Sequence, residues 1–362
     1  MLKRGLLLTG SIGITLVLAG CFQGEQTMEE MDPPMEAEEV DNLQEAGEVS
    51  RDQVNEEGDP VSEDADQEAA AEMVPRELYL IDSSGMVVSQ VLELPETKEV
   101  ATQVLEHLVK DGPVTSMLPN GFQAVLPEGT EVLGLNLQED GTMIVDLSEE
   151  FTDYKPEDEL KILEAMTHTL TQFENVDRIK IWVNGEPLDE MPVNGTPIEN
   201  GYSRANGINF MNTDNVDLTA SQAVTMFYPA EHNENRYYVP VTKYVKGEGE
   251  EFYESIVEEL INGSKYHNNL IHVFNGNTML IEEPVLKDGI LELHFNQNVL
   301  ESGENSVIAD DVMETLVRTL TEQEEVEAVQ VKVENVDQIV NENGEAYSEP
   351  VTIQNFVETE EL

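Results

Sequence analysis

A chain of 362 residues with 75 acidic against 18 basic side chains, net −57, lacks the Lys and Arg that displace counterions from nucleic acid or hold an anionic membrane surface. Its single cysteine, Cys21, excludes a disulfide framework and a cysteine metal cluster. Acidity on this scale points to a saline or alkaline setting outside the cytoplasm, where salt screens self-repulsion.

Residues 1–21 read as a targeting segment. Lys3 and Arg4 precede the apolar run Leu6–Leu18, which is shorter than the roughly 20 residues of a bilayer span. The segment ends Leu18-Ala19-Gly20-Cys21, which resembles the bacterial lipobox. That resemblance implies a diacylglyceryl thioether on the Cys21 sulfur, a new N-terminus there, and further acylation such as palmitate for stable anchoring in a bilayer. The other readings are a buried or reactive thiol, or an uncleaved membrane helix. Residues 22–75 carry 19 acidic side chains and one basic one, Arg51, with no apolar period. Such a tether does not bury enough surface to offset its ordering entropy. As a coil it reaches about 40 Å, either as a spacer or as a solubilising tail.

A first domain is expected over 76–198. Leu78–Ile81 and Met86–Leu94 read as strands around the turn residues Asp82-Ser83-Ser84-Gly85. Val100, Val104, Leu105 and Leu108 form a helical stripe ended by Asp111-Gly112-Pro113. Phe122–Leu126 is expected as a short strand, and Glu131–Leu137 and Thr142–Leu147 as a hairpin around Asp140-Gly141. Pro156, followed by acidic residues, opens a second helix.

That helix begins a stretch the chain carries twice. Residues 163–183 align without a gap on 313–333, matching Glu164, Thr169, Leu170, Thr171, Glu174, Val176 and Val183 with Glu314, Thr319, Leu320, Thr321, Glu324, Val326 and Val333. Each copy switches from helical spacing to alternation, which predicts helix, turn, strand. After a connector at 199–222, a second domain over 223–353 repeats the order. Val224–Tyr228 and Tyr237–Val245 are strands, and Ile256, Val257, Leu260 and Ile261 form a helical stripe. Met279–Leu286 and Ile290–Phe295 flank Asp288-Gly289, and Asn305 and Ser306 are placed to cap the second helix. An acidic tail, 354–362, closes the chain. The expected fold is α/β (α+β): two tandem domains, each β(β)αββαβ, with two helices on one face of a small sheet.

This order behind a lipobox resembles the GerMN (sporulation and spore germination) domain family. The resemblance is carried by Arg76–Asp82, Asp111-Gly112-Pro113, Leu118–Phe122, Thr169–Phe173 and Met191–Ile198. In the second half Tyr238–Lys243 and Thr319–Gln323 carry it. It implies a role in sporulation and germination, two GerMN domains similar to the ring-building motifs of secretion rings, and a part in a channel between mother cell and forespore. It further implies a place on the outer face of the mother-cell membrane, beside other sporulation membrane proteins, in a homo- or hetero-oligomeric ring.

No catalytic motif stands out. His107, His168, His232, His267, His272 and His294 form no metal-binding spacing, and no nucleophile elbow, P-loop or dinucleotide fingerprint occurs. Asp214–Asp217 and Asn341–Gly344 offer oxygen ligands, enough for an adventitious surface calcium site but not the spaced calcium loop. A non-enzymatic protein without cofactor, metal or nucleic acid is therefore expected. The rivals are a module binding cell wall or a small ligand, and a wall hydrolase. One surface is sharper. If Ile179, Ile181 and Val183 face the helix, then Arg178, Lys180 and Trp182, the only Trp, share the opposite face. They form either an interaction anchor or a face covered by a loop or the sister domain, with the cations balancing local acid.

Overall fold

The computed structural model of the protein describes residues 72–210, 220–233, 235–263, 269–301 and 306–356. Cys21, the tether up to residue 71, Asp214–Asp217, His267 and Asn305 lie outside them.

Repeat 1 opens with a hairpin of β1 (Met73–Ile81) and β2 (Val87–Pro95), paired from Met73↔Pro95 to Ile81↔Val87. Its turn is built on Asp82, whose Oδ1 accepts the Ser84 and Met86 amides at 2.8 and 2.9 Å, while Gly85 takes φ +84°. The short helix α1 (Val100–Glu106) leads, through a loop, into the antiparallel pair β3 (Val132–Leu137) and β4 (Thr142–Leu147). Helix α2 (Glu159–Leu170) then crosses over to β5 (Arg178–Val183), parallel to β4. The two-residue strands β6 (Glu186–Pro187) and β7 (Tyr202–Ser203) both pair with β5.

Repeat 2 follows the same plan. The hairpin β8 (Ser221–His232) and β9 (Asn235–Lys246) precedes α3 (Glu250–Asn262). Then come β10 (Val285–Lys287), β11 (Ile290–Phe295), the crossover helix α4 (Asp310–Leu320) and β12 (Ala328–Val333), in the sheet order β10-β11-β12.

The hairpin does not extend the sheet. It forms its own two-stranded ladder, and α2 lies between that ladder and β5. Apolar residues therefore face both ways on α2: Ile162, Leu163, Ala165, Met166 and Leu170 are all fully buried. The repeated Thr-Leu-Thr serves this packing. Thr169 Oγ1 accepts the Tyr79 amide at 3.0 Å, and Thr319 Oγ1 accepts the Phe227 amide at 3.0 Å. Leu170 and Leu320 fill the two cores. Thr171 and Thr321 donate their hydroxyls back to the Thr167 and Val317 carbonyls at 2.8 Å.

The Asp-Gly turns also share a function. The Gly141 carbonyl accepts the Asp177 amide at 2.8 Å and the Gly289 carbonyl accepts the Glu327 amide at 2.7 Å, tying each hairpin to the start of its parallel strand. The turns themselves differ. Asp288 and Gly289 are both left-handed, at φ +50° and +80°, giving a two-residue turn of the mirror-image type. In repeat 1 only Gly141 is left-handed, at φ +78°, and the Gln138 carbonyl accepts the Gly141 amide across a longer loop.

Three expectations are corrected. Phe122–Leu126 makes only isolated bridges, Ile81↔Gln123 and Val109↔Leu126, because Gln123 and Leu126 pair with different partners. Of Met279–Leu286 only its end pairs as a ladder, and Leu280 makes an isolated bridge to Phe295. Ala309, in extended backbone, precedes α4 in place of Ser306, which lies before the helix, and no side chain caps it.

Candidate interaction surfaces and the joint between repeats

Strand β5 alternates. Ile179 and Ile181 are buried, Arg178 is exposed, and Lys180 and Trp182 are half-buried on the opposite face. Register sets Trp182 between Asp146 and Pro187, and Lys180 beside Ile144. The Arg178 stem lies against Gly201, where an added Cβ would stand 3.0 Å from Arg178 Cδ. Hydrogen bonds from Thr142 and, more weakly, the Arg178 charge hold the Asp140 carboxyl below its ordinary range. The three residues therefore share one face, bordered by Asp140 and Asp146.

The two repeats meet through their hairpins. Asp82 Oδ2, on the turn of hairpin 1, accepts the Tyr237 hydroxyl of β9 at 2.9 Å. Tyr237 also packs edge-on against Phe122, centroids 5.0 Å apart. Burial and the neighbouring Asp82 carboxylate push the Tyr237 phenol above its ordinary range. Asn209, in the connector at φ +47°, ties both hairpins. Its Oδ1 accepts the Val87 amide at 2.8 Å, and its Nδ2 donates to the Val87 and Pro240 carbonyls at 2.6 and 2.8 Å. Next to it, Thr242 accepts the Ile208 amide at 2.8 Å and donates its own amide to the Ile208 carbonyl at 2.9 Å. The described residues of both repeats accordingly fall in one compact unit. The sequence reading missed this joint because an Asn in a polar connector carries no periodic signal.

Beside the joint lies a groove of about 670 Å³, lined by Glu77, Val91, Arg236, Tyr238, Asp311 and Arg318 among others. Arg318 bonds Glu314 at 2.7 Å and lies 4.7 Å from the Tyr238 ring centroid, and Arg236 pairs with Asp311. The equivalent residues of repeat 1, Glu164 and His168, are buried without that pairing. Burial pushes the Glu164 carboxyl up to about 7, against the Asn209 backbone N–H and the Lys161 charge. Burial, with the Arg204 charge, pushes the His168 imidazole down to about 3. His168 packs on the Tyr79 ring at 5.1 Å, and neither ring nitrogen has a hydrogen-bond partner among the described residues.

The Met191–Ile198 segment is organised by one carboxylate. Glu159, fully buried at the start of α2, accepts the Val193, Asn194 and Thr196 amides and the hydroxyls of Thr196 and Tyr154, at 2.6–3.2 Å. Although burial opposes it, these bonds hold the Glu159 carboxyl below its ordinary range. In repeat 2, Asn341–Gly344 is a turn in which Asn341 Oδ1 accepts the Asn343 and Glu345 amides at 3.0 and 2.8 Å. Of the other histidines, His107 contacts the Gln103 carbonyl, His232 Ser83, His272 the Ile261 carbonyl and His294 Glu282. Among the described residues no group of three His, Cys, Asp or Glu side chains is placed to hold a metal. No helix among them is long and apolar enough to cross a membrane.

A unit of hairpin, helix and split sheet, made twice and fused at its hairpins, defines a tandem-domain α+β protein. Residues 77–189 and 225–338 match the family described as Germane: Sporulation and spore germination, and the chain belongs to that family. It is similar to the Spore germination protein GerM of Bacillus subtilis (strain 168), with 42% identity over 366 residues covering 99% of each chain. It is also similar to the solved tandem GerMN domains of the sporulation protein GerM from Bacillus subtilis. That match has 44% identity and a TM-score of 0.72, covering 77% of this chain and 96% of that one.

Proposed function

We propose that this sporulation-family protein is a lipid-anchored, non-enzymatic component that acts by assembling with other sporulation membrane proteins. The assembly is a ring-like channel between mother cell and forespore, with this chain on the outer face of the mother-cell membrane. Acylated Cys21 holds it in the bilayer. The single supporting observation for assembly is the β5 face, where two of the 18 basic side chains and the only Trp share a surface turned away from the core. Aromatic and Arg side chains of this kind anchor protein interfaces. The likeness of GerMN domains to ring-building motifs gives that face its expected role.

The test is recovery of the anchored protein from sporulating cells, with Trp182→Ala and Arg178→Glu beside the unaltered chain. Partners that accompany the unaltered chain and are lost from both variants support the reading. The aromatic-lined groove beside Tyr238 favours a second reading, a wall-ligand module. Incubation with peptidoglycan separates the readings: co-sedimentation supports the module, release of soluble fragments supports a hydrolase, and neither leaves assembly.

A further inference from the structure

The two sheets differ in how their outer edges end. In repeat 1, β3 is the edge strand, and Leu133, Gly134, Asn136 and Leu137 are exposed along it. The Gln138 amide donates to the Thr142 carbonyl at 2.8 Å, and an antiparallel ladder alternates inward and outward backbone groups. Beyond the register shift between Val132 and Gly134, Gly134 and Asn136 therefore turn toward β4. Leu135 and Leu137 present their N–H and C=O groups to the open edge. Leu133 and Leu137 also expose 49% and 43% of their surface there.

Exposed apolar edges with free ladder groups template another strand, and proteins ordinarily block them with charge or proline. Repeat 2 is blocked in that way. Matched through the strand each one faces, Leu286, opposite Leu291, takes the place of Leu137, opposite Met143, and Pro284, two residues earlier, that of Leu135. Proline there offers no donor, and Glu282 and Glu283 precede it. Among the described residues, two copies of one unit thus differ at this edge: one is closed and the other left open.

Charge selects the occupant. No Lys or Arg occurs between Lys110 and Lys155, and Glu131, Glu139 and Asp140 stand exposed at the two ends of β3. A second copy of a chain with net −57 is repelled, while a cationic segment is attracted. The geometry points to the β3 edge as a strand-addition site for an extended partner segment of alternating apolar and basic residues, paired through the backbone of Leu135 and Leu137. This rests on the reading that the protein works by assembly, and it gives one such contact its chemistry.

The test uses the full mature chain at physiological salt. The probes are a short peptide of alternating valine and lysine, and a control of equal charge with proline in place of valine. The strand-forming peptide should slow amide exchange at Leu135 and Leu137 by about tenfold or more, and the proline peptide should not. Leu137→Lys, at an exposed side chain, should weaken binding of the valine peptide while melting as the unaltered chain does. Leu135→Pro, which copies the sister repeat, should weaken it too, at some loss of stability because Leu135 packs against the core. Equal binding of both peptides overturns the proposal, as does protection elsewhere, or protection of these amides by self-association alone. If L137K recovers the same partners from sporulating cells as the unaltered chain, the edge site falls while assembly stands.

Discussion

Thr169 and Tyr79 are 90 residues apart, yet the Thr169 hydroxyl oxygen is the acceptor for the Tyr79 backbone amide in a fully buried site. Thr319 and Phe227 repeat that bond in the second half. A buried amide stripped of its acceptor costs about 1–3 kcal/mol, whereas the shape of threonine is kept by valine. Thr169→Val and Thr319→Val should therefore each destabilise by about 1–3 kcal/mol, measured as a lower urea midpoint with unchanged slope. Substitution at the outer threonine, Thr171→Val, removes only a bond to a helix carbonyl and the contact with Arg204, and should cost less.

Glu164 and His168 give pH dependences of opposite sign. The Glu164 carboxyl is raised in the fold to about 7, so its contribution is complete below the unfolded carboxylate range and is lost as pH rises toward 7. The His168 imidazole is depressed to about 3, so its contribution is present above the ordinary histidine range and is lost as pH falls toward 3. Between these limits the two slopes oppose. Glu164→Gln should leave the His168 slope, making stability rise with pH relative to the unaltered chain by about 1.4 kcal/mol per unit between pH 5 and 6. His168→Phe should tilt it the other way. Urea midpoints across that range check both signs.

Asn209 serves both hairpins with one side chain and does so at positive φ, which asparagine tolerates better than alanine. Asn209→Gly keeps the backbone and removes the amide; Asn209→Ala loses both. Exchange at the Val87 amide should accelerate in both variants, more in alanine. Unchanged exchange would show that Asp82 and Tyr237 hold the joint alone.

The Glu159 carboxylate gathers the 193–196 segment. Hydrogen bonds to a charged acceptor are worth about 1.5–3 kcal/mol in the net, and Glu159→Ala leaves several donors unpaired at once. The variant should lose at least about 3 kcal/mol and release the Asn194 and Thr196 amides to exchange. Glu159→Gln, which keeps an oxygen acceptor, should fall between.

Much of this fold was legible because apolar periods record burial directly. The alternation of Ile179 and Ile181 and the helical spacing of Leu163, Met166 and Leu170 each match the observed faces. The gapless repeat was readable for a related reason: Thr169, Leu170 and Thr171 serve backbone and core, which change slowly when a unit is copied. The joint was not legible, since Asp82 looks like any turn residue until Tyr237, 155 positions away, meets its second oxygen. The exposed edge was hidden too. The run from Leu133 to Leu137 reads as a strand, but only the ladder reveals which of its amides have no partner among the described residues.

The bond between Tyr237 and Asp82, with Asn209 alongside, has a mechanical consequence. Because Asn209 hydrogen-bonds both hairpins, a pull on one half is passed to the other through that joint. The two halves should turn and travel as a single strut, and a binding event on either sheet reorients the surfaces of both.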